Sequence, residues 1–325
     1  DDKGVWEVKV DGDLNGTYYT YTADFGDTQN EACDPYAKTV GVNGDRAMVI
    51  DMDSTNPAGW DNDSNPNKNL KNTDVSIYEL HVRDLSSDAS SGIKNTGKYL
   101  GLTETGTTNS KGQSTGLDHI KELGITHIQL NPVYDYATVD ETKLDTNQFN
   151  WGYDPKNYNS PEGSYSTDPY NGDVRVKEFK EMVKTLHDND ISVVMDVVYN
   201  HTYSTDYCYN KLVPDYFYRP GSNGSGCGND VASERAMVRN FIVDSVAYWA
   251  KEYHIDGFRF DLVGLIDVQT IKEIRAALDE IDPSIIIYGE GWSMTTTTTK
   301  EGTALSTQTN AVNLGNFGMF NDTIR

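Results

Sequence analysis

GFRFDLVG, residues 257–264, is an apolar strand-like run that ends on a carboxyl, Asp261, with Arg259 two positions before it. Two more stretches share the layout: DVVYNH at 196–201 closes the run 191–198, and YGEGW at 288–292 closes the run 285–289 with Glu290. Apolar strands that each end in ionisable groups predict a parallel β/α barrel, because a packed barrel interior leaves its C-terminal strand ends to carry a site.

Outward from these stretches, strands alternate with helical patterns. Residues 75–82 read as the first strand and 125–130 as the second. Ser114 or Thr115 can cap a helix through Leu117, Ile120 and Leu123, with Gly124 at its end. Val176, Phe179, Met182, Val183 and Leu186 keep a helical period before the third strand. Ser233 is expected to open a helix carrying Met237, Phe241, Ile242, Val246 and Trp249, and Asp267 to cap one with Ile271, Ile274 and Leu278. The fold class is therefore α/β, a (β/α)₈ TIM barrel that is incomplete here. Five strands precede Trp292, 313–320 reads as the start of a sixth, and the Thr run at 295–299 reads as loop. Residues 71–325 are read as the N-terminal part of the barrel, and the chain as a piece of a longer protein. Before it, Trp6, Val8 and Val10 alternate, Asp11-Gly12 and Asn15-Gly16 are turn dipeptides, and Tyr18, Tyr19 and Tyr21 restart a strand-like run, which predicts antiparallel β structure. Residues 56–72, rich in Asn, Asp and Pro, have the composition of a linker.

With 325 residues and 37% hydrophobic content the chain can bury a sizeable core. Its formal charge of -23 argues against nucleic acid or an anionic membrane surface as partner and favours a neutral substrate. No apolar run approaches the ~18 residues a membrane span needs, and Asp1, Asp2 and Lys3 do not open a signal peptide. Of the three cysteines, Cys208 and Cys227 flank a loop rich in Gly, Asn and Pro that a disulfide would close; free thiols are the alternative. No Cys/His spacing suits zinc, and the glycines at 221, 224, 226 and 228 do not form a phosphate loop.

The chemistry rests on two carboxyls. A retaining glycosidase needs a carboxylate nucleophile and a carboxylic acid about 5–5.5 Å apart. Neighbouring barrel strands lie about 4.7–4.9 Å apart, so Asp261 and Glu290, on successive strand ends, would face each other at that range. Arg259 points to the same side of its strand as Asp261 and would hold the nucleophile ionised. Glu290, between Gly289 and Gly291 and beside Trp292, suits the acid. A lone carboxyl at a strand end is more often a helix cap, and a lone His201 a structural histidine; the functional reading comes from their joint occurrence. Asn200 and His201 then sit where a substrate hydroxyl would be bound.

DVVYNH, GFRFD and GEGW, in this order and spacing, resemble the conserved regions of the α-amylase superfamily, glycoside hydrolase family 13. FNWGYDP at 149–155 is similar to the YNWGYDP signature of type I pullulanases, which split α-1,6 branch linkages, and DPYAKTVGVNG at 34–44 looks like the tail of a starch-binding-type β-sandwich. The resemblance implies Asp261 as nucleophile, Glu290 as general acid/base and Arg259 as partner of the nucleophile. Tyr153 would stack under the sugar at the cleavage point, while Asp154, Asn200, His201, Leu262 and Trp292 line glucose subsites; Trp151 is read as packing. It further implies that residues 1–70 are the C-terminal part of the sandwich. Phe149 and Val263 replace the Tyr and Met usual in the family. The family's third acid belongs to an HD pair near a seventh strand; the one HD here, His187-Asp188, lies before the third strand, so the chain by itself is expected to be close to inactive. The expected function is retaining hydrolysis of α-1,6 linkages in pullulan, amylopectin or related α-glucans, with an isoamylase-like debrancher or a non-catalytic glucan-binding fragment as alternatives. The remainder of its own polypeptide would be a partner. No cofactor is required, structural calcium is allowed for, with 61–67 as a source of oxygen ligands, and an extracellular or bacterial cell-surface location is expected, cytoplasmic glycogen breakdown being the alternative.

Overall fold

A computed structural model describes residues 7–324. Six parallel strands stand side by side in chain order: β1 (Ile77–Leu80), β2 (His127–Leu130), β3 (Ser192–Val197), β4 (Gly257–Phe260), β5 (Ile286–Gly289) and β6 (Gly318–Met319). β3 is buried at every position because it has neighbours on both edges and is covered on both faces, as central strands of parallel sheets are. Helices fill the crossovers: α1 (Gly116–Glu122) before β2, α2 (Gly172–His187) before β3, α3 (Cys208–Leu212) and α4 (Ala236–Glu252) before β4, and α5 (Val268–Ile281) before β5. This is the wall of a (β/α) barrel, and the strands match the expected segments while running shorter at their ends. The stretch 313–320 does deliver a sixth strand, whose Gly318 and Met319 pair with Tyr288 and Gly289.

The apolar stripe of α2 packs on α4 through Phe179, whose ring centroid lies 5.6 Å from that of Trp249 and 5.1 Å from that of Tyr253. Asp267 caps α5 as expected, accepting from the Thr270 backbone N–H at 3.1 Å. Ser233 does not open α4, which starts three residues later with Arg235 at the cap position. Its hydroxyl is committed elsewhere: it donates to Asp267 Oδ2 at 2.7 Å and accepts from the Asp267 N–H at 2.9 Å, tying the approach of α4 to the start of α5. Thr115 stands at the cap position of α1 without bonding back to the helix, since its hydroxyl meets Thr107 Oγ1 at 2.9 Å.

An antiparallel pair, Tyr134–Tyr136 with Pro155–Pro161, branches off after β2 and was not foreseen. Its second strand is bounded by prolines and carries Lys156, Asn157, Asn159 and Ser160, all buried, so neither apolar alternation nor β propensity marks it.

The residues before Lys71 depart from expectation. Two separate two-stranded antiparallel ladders form here, Tyr18–Tyr19 with Ala47–Met48 and Tyr21–Asp24 with Gln29–Ala32. Val8 and Val10 are exposed and outside any strand, and Trp6 lies outside the described residues. The core runs on across position 70: Val40, Ala47, Met52 and Trp60 belong to the same buried cluster as the barrel side chains. Residues 56–72 are docked instead of forming a linker. Asp63 accepts from His187 Nδ1 at 2.7 Å and from His254 Nδ1 at 2.8 Å, Trp60 stacks on His254 with centroids 4.1 Å apart, and Asn67 Nδ2 reaches the Thr126 and Asp190 carbonyls at 3.0 Å each. Polar composition misleads here because these side chains bond to backbone and histidines, not to water.

Candidate active site

The site is built where β3, β4 and β5 end. Parallel register sets Asp196, Arg259 and Tyr288 side by side on neighbouring strands. The ladder continues one residue past β4 and β5: Asp261 N–H donates to the Val197 carbonyl at 2.9 Å, and Glu290 N–H to the Phe260 carbonyl at 3.1 Å. Backbone hydrogen bonds thus fix the α-carbons of both carboxylate residues. Gly289 is required at this crossing, since a Cβ there would meet the Phe260 carbonyl at 2.4 Å.

One guanidinium gathers the acids. Arg259 Nη1 lies 3.0 Å from Asp261 Oδ1 and 3.1 Å from each Asp196 oxygen, while its Nη2 lies 2.6 Å from Glu290 Oε1. The planar fork of arginine suits such bridging, and a lysine would not reach all three. Glu290 Oε2 accepts from Leu262 N–H at 3.2 Å, and Leu262 holds the left-handed conformation, φ 41°, an uncommon state for a branched residue that turns its N–H toward Glu290.

Tyr153 donates its hydroxyl to Asp196 Oδ2 at 2.8 Å. Its carbonyl meets His201 Nε2 at 2.9 Å, His201 Nδ1 meets Asn200 Oδ1 at 2.7 Å, and Asn200 Nδ2 donates to Asp261 Oδ2 at 2.8 Å. Charge is crowded here. Burial pushes the Asp196 carboxyl up to about 8, with the Asp261 charge adding to the rise and Arg259 and Tyr153 opposing it. Burial works against the charged guanidinium, yet Asp196, Asp261 and Glu290 together raise Arg259. Tyr153 is raised by burial and by Asp196. For His201, burial disfavours the imidazolium, but the Cys227 thiol, the Tyr153 carbonyl and Asp261 outweigh it and raise the group. Three carboxyls about one arginine, with an aromatic ring and an amide–imidazole pair at their rim, can offer a nucleophile, a proton donor and donors for sugar hydroxyls.

Asp261, Glu290, Arg259, Tyr153, Asn200, His201 and Leu262 therefore converge. Trp292 follows directly behind Glu290, its carbonyl so close to Gly264 that no Cβ would fit there. Asp154 braces its own loop, accepting from Thr138 N–H at 2.8 Å, Thr138 Oγ1 at 2.6 Å and Asn150 Nδ2 at 2.9 Å, and lines the depression beside Tyr153. Trp151, read as packing, is 59% exposed and packs on no core. Asp196 was missed, although an acid inside the apolar run VVMDVV was the visible signal. Of the two alternatives for Cys208 and Cys227, the structure has the free thiols: Cys208 is buried in α3 and Cys227 is exposed on its loop.

Three of the oxygen ligands proposed at 61–67 are engaged elsewhere. Asp63 holds two histidines, Asn65 Oδ1 accepts from Ser192 at 2.8 Å, and Asn67 bonds to backbone. Asp135, Glu141 and Glu162 form a buried acidic group, but Arg175 supplies the cation, 3.3 Å from Asp135 and 3.0 Å from Glu141. Burial and the Glu141 charge push Asp135 up to about 7. The guanidinium thus stands beside two of the three carboxyls, where a bound cation would otherwise sit.

A parallel β/α wall that converges paired carboxyls on one arginine at its strand ends has the arrangement that barrel glycosidases use. The model of the α-amylase catalytic domain matches residues 21–221, and the chain belongs to that family. It is 43% identical over 331 residues to a pullulanase of Bacillus subtilis, covering 100% of this chain and 45% of that protein. Pullulanase 1, chloroplastic, of Arabidopsis thaliana is 34% identical over 99% of this chain and 38% of that protein. The crystal structure of pullulanase from Paenibacillus barengoltzii, in complex with maltohexaose and alpha-cyclodextrin, superposes with a TM-score of 0.94 at 53% identity, over 97% of this chain and 50% of that one. The chain thus spans about half the length of these relatives. The family's hydrolysis runs without an organic cofactor, and among the described residues no helix is long and apolar enough to cross a membrane.

Proposed function

We propose that this chain carries the cleavage centre of a debranching glycosidase that hydrolyses α-1,6 linkages in pullulan, amylopectin and related α-glucans with retention. Asp261 is the nucleophile and Glu290 the acid that protonates the leaving oxygen and later activates water. Arg259 holds both in place, and Tyr153 offers a ring face to the sugar. The observation that carries this reading is the single guanidinium within 3.0 Å of Asp261 and 2.6 Å of Glu290, at the ends of adjacent strands. Pullulan hydrolysis to maltotriose by the full-length protein tests it. Asp261→Asn and Glu290→Gln should each lower turnover by orders of magnitude while pullulan binding persists; near-normal rates in either variant overturn the assignment, and binding without turnover in the unmodified protein favours a glucan-binding module.

His187 does not serve as the family's remaining acid pair, since it lies at the end of α2 held by Asp63 and Asp256. On this reading residues 1–325 alone bind glucan and turn it over very slowly, and the rest of the polypeptide completes the centre. A structural calcium, if bound, uses ligands other than Asp63, Asn65 and Asn67. We place the activity outside the cell or on a bacterial surface, because the substrate is a polymer; fractionation of the host settles this against cytoplasmic glycogen breakdown.

A further inference from the structure

Two large aromatic side chains stand in the open beside the site. Phe149 is 61% and Trp151 59% exposed, their ring centroids 6.0 Å apart and edge to face. Exposed aromatics usually ride on mobile loops, where ordering them would cost much of what they gain on binding. This loop is braced throughout. Arg83 binds Asn147 Oδ1 at 2.8 Å and also the Gln148 carbonyl, and His81 Nε2 meets the Asn150 carbonyl at 2.8 Å. The Asn150 side chain donates to Thr138 Oγ1 at 2.8 Å and to Asp154 at 2.9 Å, and accepts from Gly152 N–H at 2.7 Å. Gly152, at φ 92°, passes so close to Pro132 that a Cβ would meet its carbonyl at 2.7 Å. A braced loop therefore presents two aromatic rings: Phe149 stacks one side on His81, centroids 6.2 Å apart, and Trp151 touches no core side chain.

The surroundings identify the occupant. Thr138, Asn150, Tyr153 and Asp154 line the same depression as the two rings, so its rim is polar with one acid, and Tyr153 reaches from it to Asp196 in the reaction centre. A protein partner would want a broader apolar field. Aromatic faces rimmed by amide and hydroxyl groups suit a pyranose, which has an apolar face and polar edges. We propose that Phe149 and Trp151 form an additional sugar-stacking platform, continuous through Tyr153 with the cleavage centre, which takes glucosyl units of the α-glucan away from the bond that is cut. This rests on the α-glucan hydrolase reading of the centre.

The test uses the full-length protein. In a Glu290→Gln background, calorimetry with maltohexaose should show binding weakened about tenfold by Trp151→Ala, the loss expected for uncovering one stacked sugar face, and changed less than about twofold by Trp151→Phe. In the active protein Trp151→Ala should raise KM for pullulan about tenfold with kcat kept. Unchanged maltohexaose affinity and KM in Trp151→Ala overturn the platform, as does a loss confined to kcat, equal losses in the Ala and Phe variants, or a variant that alters self-association in sedimentation without altering sugar binding. The two readings fail separately: a wild-type protein that binds maltohexaose through Trp151 yet leaves pullulan intact refutes the hydrolase, not the platform.

Discussion

Replacing His187 with Gln should remove about 3 kcal/mol of the pH dependence of stability between pH 6 and 10. His187 is buried at the end of α2 with Asp63 Oδ2 2.7 Å from Nδ1 and Asp256 Oδ2 2.8 Å from Nε2, so both ring nitrogens face carboxylates. Burial disfavours the imidazolium, but the two acids outweigh it and raise the group from 6.5 to about 9. A group whose folded value is raised contributes stability that is fully present below its unfolded value and lost as pH climbs through the folded one. The window is therefore pH 6.5 to 9. At about 1.4 kcal/mol for each unit of pKa, the contribution is about 3 kcal/mol. The residues that would be released are those of 56–72, because Asp63 also accepts from His254, on which Trp60 stacks. Urea midpoints at pH 6, 8 and 10 measure the effect: the wild type should lose most of that 3 kcal/mol by pH 10 on top of the decline that Asp196 contributes up to pH 8, whereas His187→Gln should start lower at pH 6 and decline by about 3 kcal/mol less. Parallel pH profiles in the two proteins would refute a charged histidine between the aspartates.

Asp196 makes an opposite test. With its carboxyl pushed up to about 8, the fold keeps a proton that the unfolded chain releases near pH 4, so stability falls as pH rises from 4 to 8; Asp196→Asn should flatten that decline in urea titrations, and should slow pullulan turnover because Arg259 loses an anchor. Asp267→Ala removes the cap of α5 and the partner of Ser233 and Arg239, and should cost about 2 kcal/mol in denaturant unfolding. Among the cysteines only Cys227 should react with iodoacetamide in the native state, since His201 lowers it while burial pushes Cys33 up to about 12 and raises Cys208; one modified site by mass spectrometry is the expected result.

Much of this was legible in the residues. Strand ends at Asp261 and Glu290 declared themselves because a parallel strand is apolar throughout and a carboxyl after it marks where burial stops. Asp196 stayed hidden for the converse reason: it lies inside its strand, and only the register that sets it beside Arg259 shows why an acid is tolerated there. The linker reading at 56–72 failed because Asn and Asp serve equally as solvated loop residues and as donors and acceptors for buried backbone, and composition does not separate the two. Trp151 was misread because large aromatics are mostly packed, and nothing in FNWGYDP says that the loop is braced from below by Arg83 and His81. The Ser233 cap failed through competition, since Asp267 offers the same hydroxyl two bonds.

The hydrogen bonds that run one residue beyond β4 and β5 amount to a ruler. The gap between Asp261 and Glu290 is measured off by main-chain amides that no side-chain exchange can lengthen, while the Gly-rich stretch at 221–228 and the Thr run at 295–299 lie outside that ladder and bond to each other, Asn223 N–H donating to the Thr296 carbonyl at 3.1 Å. Such a wall can trade its loops and still present its two carboxyls at the same spacing.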